Sequence, residues 1–159
     1  MKKIVIITIG LIITTNVFAQ TDSATIAGTK EKNRSHYFGF NAGFTTGVGF
    51  SFIYQPKKDG IQFTFFPLFD KDDYWVSTGL TYLRTLEQYK RTSIFLYVGN
   101  HLLFSSKNED VLYFVGVGPG IDVGSEIIRF RFSFGLAVMN IPSNVMVRPT
   151  GEIGLFYKF

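Results

Sequence analysis

The sequence predicts an all-β fold: an eight-stranded antiparallel up-and-down transmembrane β-barrel, preceded by a cleaved signal peptide. Short segments in which large apolar residues alternate with small or polar ones recur from His36 to the last residue, Phe159. No hydrophobic run after residue 19 reaches the ~20 residues of a membrane-spanning helix. Aromatic residues nevertheless make up 17% of the chain. The chain must therefore pack its aromatic residues inside the protein or face them toward lipid.

The N-terminus has the pattern of a secretory signal peptide. Lys2 and Lys3 precede an apolar run that extends from Ile4 to Ile13, and Ala19 is a small residue before the expected cut. The run is short for a spanning helix, so cleavage is favoured over a membrane anchor. We therefore predict three parts: a signal peptide at 1–19, a flexible polar segment at 20–35 and a barrel domain at 36–159.

Composition narrows the class of protein further. Cysteine is absent, which excludes disulfides and a lipidated cysteine after the signal peptide. Cleavage leaves about 140 residues, enough for one domain. The formal charge falls from +4 to +2 because Lys2 and Lys3 are removed. The sequence pI near 9.3 therefore does not indicate a nucleic-acid partner.

Turn residues divide the barrel domain into eight segments. One of the clearest turns is predicted at residues 56–60, a stretch that contains proline, two lysines and glycine. Most segments approach the ~9–11 residues that cross a bilayer at a tilt, and an even number returns both termini to one side. The predicted strands cover residues 36–44, 48–55, 61–67, 74–85, 92–104, 111–122, 127–139 and 148–159.

Side-chain size indicates which face of each strand points outward. In the last strand Ile153, Leu155, Tyr157 and Phe159 share one face, because alternate side chains of a strand lie on opposite sides. The opposite faces of the strands are rich in glycine, serine, threonine and asparagine, which suits a narrow interior better than a water-facing exterior. The phase of the fifth strand is ambiguous because residues 94–98 are all apolar. A soluble barrel would reverse these faces and remains an alternative.

Aromatic residues near the strand ends predict interface girdles. We expect Tyr37, Tyr54, Tyr157 and Phe159 at the periplasmic edge. At the outer edge we expect Phe69, Tyr74 and Trp75.

Four charged residues predict a network inside the barrel. A two-residue turn at Ser125 and Glu126 would set Asp122 opposite Arg129 and Gly120 opposite Arg131. Glu152 has the same inward parity and is expected to reach Arg131. An unpaired arginine in a lumen of low dielectric is unfavourable, so partners are expected. The predicted interior charge network is therefore Asp122, Arg129, Arg131 and Glu152, and its expected role is to stabilise the barrel rather than to gate it.

The signal peptide, the alternating strands and the terminal Phe159 together resemble those of small bacterial outer-membrane β-barrel proteins of the OmpA and OmpX type, including the outer-membrane barrel domains of Bacteroidetes. The resemblance covers about residues 36–159 and implies a location in the cell outer membrane of a Gram-negative bacterium. It implies outer-membrane lipids as partners, and recognition of the Phe159 end by the barrel assembly machinery. It also implies a role in membrane integrity, adhesion or surface interaction.

No catalytic constellation stands out, and no cofactor or metal motif is recognised. Some eight-stranded outer-membrane barrels modify lipid A, and one type uses a histidine and a serine at the outer edge that faces lipid. In this chain His101 with Ser105 or Ser106 is the one candidate pair. Three functions follow: a non-enzymatic barrel with a structural or surface-interaction role and no open pore, a lipid A-modifying enzyme, and a soluble periplasmic barrel that binds an apolar ligand. We expect the first, and the sequence names no protein partner.

Overall fold

A computed structural model of the chain describes residues 35–70, 73–106, 110–139 and 145–159. They form eight antiparallel strands that pair in chain order, and β1 also pairs with β8, which closes the barrel. This confirms the predicted fold class. The strands are β1 Ser35–Gly43, β2 Gly47–Gln55, β3 Asp59–Asp70, β4 Asp73–Gln88, β5 Thr92–Ser105, β6 Asp110–Gly124, β7 Ile128–Met139 and β8 Met146–Lys158.

The predicted faces are confirmed along most of the wall. On β7 the side chains of Phe130, Phe132 and Phe134 are exposed on the outside, whereas Arg131 and Ser133 are buried. The ambiguous phase of β5 is resolved with residues 94, 96 and 98 outward and residues 93, 95 and 97 inward. The large apolar residues therefore face out, which is the reverse of the arrangement that a soluble barrel requires.

Both ends of the described chain lie at one end of the barrel, which we call the proximal end. The backbone N–H of Phe159 donates to the carbonyl of His36 at 3.0 Å. The opposite end, where β1 connects to β2, is called the distal end. Closure pairs the strand edges with each other below the level at which β1 and β2 end, so few backbone groups are left exposed along that part of the wall.

The strands differ in length, and the difference matters at the distal end. β1 and β2 have 9 residues each, whereas β4 has 16, β5 has 14 and β6 has 15. The β1–β2 hairpin therefore ends below the distal rim that the other strands form. Residues 1–34, which contain the predicted signal peptide and polar segment, lie outside the described residues, and the described residues include no helix able to cross a membrane.

The proximal aromatic residues follow the prediction with one exception. The ring of His36 stacks 5.1 Å from that of Tyr54 and 5.9 Å from that of Phe159 on the outer face. Tyr37 was expected in the same girdle, and this expectation is wrong. Its side chain is buried inside the barrel, because it alternates with the outward Phe38 on β1.

The distal aromatic residues occupy both faces. Tyr74 lies outside, 5.7 Å from the ring of Phe104, and Phe69 is exposed beside it in register. Trp75 pairs with the buried Ser105, so it lies at the distal edge on the inner face of the wall. Trp75 lies at the expected edge, but its expected place in a girdle that faces lipid is wrong, because it is on the inner face.

Candidate functional site: the lumen of the barrel

The proximal half of the lumen is built around one buried ion pair. Arg131 on β7 lies directly opposite Asp122 on β6. Its Nε donates to Asp122 Oδ1 and its Nη2 donates to Asp122 Oδ2, both at 2.7 Å. Both side chains are buried. This two-point geometry compensates for the desolvation of two charges, which a single contact would do poorly.

Two aromatic rings hold the guanidinium of Arg131 from its faces. The Arg131 Cζ atom lies 4.6 Å from the ring centroid of Phe95 and 5.1 Å from that of Phe156. Two glycines make room for these rings: a Cβ at Gly120, opposite Phe95 on the next strand, would overlap the Phe95 ring, and one at Gly154, two residues before Phe156, would lie 2.5 Å from Phe156 Cε2. The small residues of the interior face thus accommodate aromatic rings around the cation, where cation–π attraction adds to the ion pair.

A chain of hydrogen bonds continues from Arg131 across the lumen. Its Nη1 donates to Gln62 Oε1 on β3 at 3.0 Å. The amide nitrogen of Gln62 lies 3.3 Å from the hydroxyl oxygens of both Ser51 and Thr64, which are 2.6 Å apart. Because β3 and β7 stand on different sides of the barrel, this series of hydrogen bonds bridges the proximal half of the lumen.

The predicted partner of Asp122 is wrong by two residues. Asp122 pairs with Arg131, and Arg129 pairs with Gly124. The cause is the β6–β7 turn, in which the Ser125 hydroxyl accepts hydrogen bonds from the N–H groups of Ile127 and Ile128 at 3.2 and 3.0 Å. The Ser125 N–H group also donates to the Ile128 carbonyl at 2.8 Å, so the two connecting residues are Glu126 and Ile127, one residue later than predicted. A shift of two preserves the inward face, so all four predicted residues still point into the barrel.

Arg129 lies nearer the proximal end and is not part of the ion pair. Its Nη1 donates to the Ser93 hydroxyl at 3.2 Å, and its Cζ atom lies 5.7 Å from the centroid of Tyr37. The arginine is therefore held by a neutral hydroxyl and an aromatic face.

Outside the spanning strands, Tyr89 donates a hydrogen bond to the Glu87 carboxylate, which raises the pKa of the Tyr89 phenol.

Glu152 was expected to reach Arg131, and this expectation is also wrong. Its Oε1 accepts hydrogen bonds from the backbone N–H of Thr45 at 3.1 Å and from the Thr45 hydroxyl. The Tyr97 hydroxyl lies 3.5 Å from that same threonine oxygen. Glu152 Oε2 has no hydrogen-bond partner among the described residues. The carboxylate thus binds the β1–β2 turn and takes no part in the Arg131 network.

The β1–β2 turn folds into the lumen instead of standing above the rim. Thr45 and Thr46 at its centre are 0% and 4% exposed. Asn41 Nδ2 donates to Thr46 Oγ1 at 2.6 Å and to the Gly47 carbonyl at 2.9 Å. Gly47 has a φ of 86°, a conformation that glycine adopts without strain. We call residues 44–47 the inward turn.

The far side of the lumen anchors the inward turn through His101. The His101 Nδ1–H group donates to the carbonyl oxygen of Phe44 at 2.9 Å. Its Nε2 lies 2.9 Å from the hydroxyl of Ser77, and that hydroxyl accepts a hydrogen bond from the N–H of Val48 at 3.0 Å. Side chains of β4 and β5 therefore satisfy backbone groups of a hairpin that has left the wall.

Three glycines on successive strands receive the inward turn. A Cβ at Gly79 on β4 would overlap the carbonyl oxygen of Thr46, and a Cβ at Gly99 on β5 would lie 2.6 Å from that of Thr45. A Cβ at Gly116 on β6 would overlap the Thr45 side chain. We call these residues the glycine cradle. Sequence reasoning identified small interior residues but not this use; the signal was two unusually short strands facing glycines in β4, β5 and β6.

The predicted catalytic pair is not assembled at a lipid-facing edge. His101 points into the lumen, where its two ring nitrogens are engaged by Phe44 and Ser77. Ser105 lies on the same inward face four residues along β5 and is buried. Among the described residues no group of three histidine, cysteine, aspartate or glutamate side chains could hold a metal ion. The two ring nitrogens of His101 therefore hold the carbonyl of Phe44 and the hydroxyl of Ser77.

No protein-family model matches the sequence, and no curated protein matches it. Among solved structures, the chain is similar to the N-terminal β-barrel domain of OprF from Pseudomonas aeruginosa, with a TM-score of 0.57 and 11% sequence identity over 82% of this chain and 100% of that one. Neisserial surface protein A, NspA, aligns with a TM-score of 0.47 and 9% identity over 79% of this chain and 94% of that one. By its similarity to the OprF domain, the chain has the fold of a small outer-membrane β-barrel.

Proposed function

We propose that the protein is an integral outer-membrane barrel with a structural or surface-interaction role and no open pore. The observation that carries the proposal is the closure of the lumen at two heights. Arg131 and Gln62 bridge the lumen in the proximal half, and the inward turn fills it in the distal half. An eight-stranded barrel has little interior space beyond that of its own side chains. An ion or solute has no continuous aqueous path through such a barrel.

The outer surface supports a location in the lipid phase of the outer membrane. Outward phenylalanines such as Phe50, Phe63 and Phe130 are about half exposed, which is unfavourable in water and favourable in hydrocarbon. Below the distal ends of β1 and β2, the closed ladder leaves few unpaired backbone groups to face that hydrocarbon. Outer-membrane lipids are therefore the proposed partners of this surface.

The proximal end offers the proposed contact with the assembly machinery. Phe159 is 64% exposed and its ring lies beside that of His36, at the seam between the first and last strands. An exposed terminal aromatic residue at the seam is accessible before and during closure of the barrel. This placement supports recognition of the Phe159 end during insertion.

The surroundings of His101 support a non-enzymatic role. A lipid A-modifying histidine would need to meet substrate at the lipid-facing edge, whereas His101 is 3% exposed within the lumen. A His101→Ala variant is expected to loosen the inward turn and to leave the lipid A of the host unchanged. Mass spectrometry of lipid A from cells with and without the protein checks this, and a chemical change that depends on His101 would contradict the proposal.

Electrical recording tests the absence of a pore. The purified protein is refolded into lipid, its folding is verified by the mobility difference between boiled and unboiled samples, and it is inserted into a planar bilayer beside an open porin as a positive control. We expect no stable conductance steps from the folded protein. Regular steps of uniform size would contradict the closed lumen, and recovery in the soluble periplasm after fractionation would contradict the membrane location.

A further inference from the structure

Above the inward turn, small polar residues of the inner face such as Ser105 and Thr150 are accompanied by large apolar ones. Register assigns them to the inner face: Trp75 pairs with the buried Ser105, and Leu103 pairs with the buried Ser77. We call this set the distal mouth, and it consists of Leu68, Trp75, Leu103, Leu112, Met139 and Met146.

Four of these residues are exposed although they do not face lipid, whereas Leu103 and Met139 are half-buried. Leu68 is 53% exposed, Trp75 41%, Leu112 39% and Met146 38%. Lipid accounts for the exposed apolar residues on the outside of the barrel, but it does not account for apolar residues on the inner face. A concave apolar surface left open on a folded protein indicates a binding site.

The floor of the distal mouth is closed. The Phe44 ring reaches from the inward turn to Phe114 on β6, with a distance of 6.3 Å between ring centroids. The Phe114 ring stacks on that of His101 at 5.3 Å. Because the inward turn lies directly beneath these rings, the distal mouth is a blind cup with an apolar floor.

The wall of the cup has a lateral gap where the β1–β2 hairpin has turned inward. Pairing between β1 and β8 stops at Gly43 and Glu152, and pairing between β2 and β3 stops at Phe50 and Phe65. Within the described ladder, residues 146–151 pair only with β7 and residues 66–70 only with β4.

Each border of this gap contains a proline. Pro67 lies on the β3 side and Pro149 on the β8 side. Proline lacks a backbone N–H group and is confined to the edges of sheets, so each border has one donor fewer with which to close the gap. The two prolines therefore disfavour backbone pairing across the gap.

Besides Arg129 and Arg131 in the proximal half, the inner face carries Arg148, which stands beside the apolar lining of the distal mouth. Arg148 pairs with Ala137, which is buried, so it belongs to the inner face of β8. Its Nη2 lies 3.7 Å from Met146 Sδ, which brings the guanidinium next to the apolar lining. Among the side chains that the structure describes, no carboxylate lies within ion-pairing distance of Arg148.

We propose that the distal mouth binds a long-chain fatty acid, with its acyl chain in the apolar cup and its carboxylate at Arg148. The narrow interior suits one acyl chain, and the guanidinium of Arg148 suits one carboxylate. The lateral gap admits the chain from the side, since the turn closes the cup from below. This binding activity goes beyond the structural role proposed above and does not depend on it.

Trp75 provides a direct probe because it is the one tryptophan of the chain. The full protein is reconstituted in phosphatidylcholine nanodiscs and titrated with dibrominated stearate, whose bromines quench nearby tryptophan. We expect saturable quenching that excess unbrominated stearate reverses. Matched nanodiscs that contain brominated phosphatidylcholine provide the control for quenching from the bilayer. Quenching that does not saturate, or that stearate cannot reverse, would overturn the proposal.

Two variants separate the acyl and carboxylate contacts, after a heat-mobility gel has shown that each one folds. Leu112→Asn and Arg148→Gln are each expected to weaken binding of the brominated stearate about tenfold, which corresponds to ~1.4 kcal/mol. Arg84→Gln, which changes an exposed cation at the proximal end, should leave binding unchanged. Unchanged affinity in both mouth variants overturns the binding site. Loss in Leu112→Asn alone overturns the assignment of a carboxylate ligand.

Discussion

The proximal and distal halves of the lumen are closed in different ways. In the proximal half, side chains of neighbouring strands meet: Arg131 and Asp122 face each other across β6 and β7, and rings from β5 and β8 cover the guanidinium. In the distal half, backbone fills the space, because the inward turn leaves the wall and is held by Glu152 and His101. A barrel can therefore fill its interior with side chains or with a segment of its own main chain.

This difference explains what the sequence could predict. Alternation determines which side chains point inward, so the inner face of β7 and the inward parity of Glu152 were predictable from residue size. The partner of Asp122 was not, because the Ser125 cap shifted the register by two residues without changing any face. Local turn chemistry of this kind leaves hardly any periodic signal.

The inward turn was harder to predict from the sequence. Residues 44–47 read as an ordinary tight turn, and a strand pattern does not say whether a turn projects outward or folds back. The position of the turn can be inferred only when Gly79, Gly99 and Gly116 are known to lie next to one another on adjacent strands. The sequence contains these glycines, but their use depends on contacts between residues far apart in the chain.

The largest loss of stability is expected from a substitution that removes the proximal closure. Arg131→Ala leaves Asp122 buried without a counter-charge and removes the cation between two rings, so we expect it to lower the free energy of unfolding by about 3–5 kcal/mol. Urea titration of the refolded protein in lipid vesicles, followed by Trp75 fluorescence, measures this. The Asp122→Asn and Arg131→Ala double variant provides the control, and it should be less destabilised than the two single effects combined. A loss below about 1 kcal/mol in Arg131→Ala would show that the pair does not stabilise the barrel.

The next largest loss of stability is expected from a substitution that releases the inward turn, which closes the distal half. Glu152→Ala removes the charged acceptor of the Thr45 N–H and hydroxyl groups, so we expect a loss of about 1.5–3 kcal/mol in the same urea titration. Glu152→Gln keeps an acceptor oxygen and should lose less. An unchanged denaturation midpoint in Glu152→Ala would mean that the inward turn does not depend on this carboxylate.

A third effect tests the glycine cradle. Gly79→Ala places a methyl group against the Thr46 carbonyl, and we expect it to destabilise the barrel by about 1–3 kcal/mol. Gly151→Ala is the matched control, because a Cβ at Gly151 would meet no atom within 4 Å. Equal stability of the two variants would argue against close contact between the turn and β4.

The smallest effect is expected at the outer surface. The Arg84 Nη1 atom lies 3.1 Å from Asp59 Oδ1 at the proximal end, and the two side chains are 48% and 38% exposed. Water and salt screen such a pair, so Arg84→Ala should leave the denaturation midpoint unchanged within error. A loss as large as that of Arg131→Ala would remove the distinction between the buried and exposed arginine–aspartate pairs.

The most direct test of the closed distal lumen is the reactivity of a single cysteine, since the natural chain has none. Thr46→Cys and Phe44→Cys are each placed in the inward turn, at positions that are 4% and 60% exposed. The folded variants in lipid vesicles are treated with a water-soluble maleimide, and the labelling rates are compared with those of the unfolded proteins. We expect fast labelling at position 44 and strong protection at position 46. Equal, fast labelling at both positions would show that the turn projects into solvent, which would contradict the closed lumen.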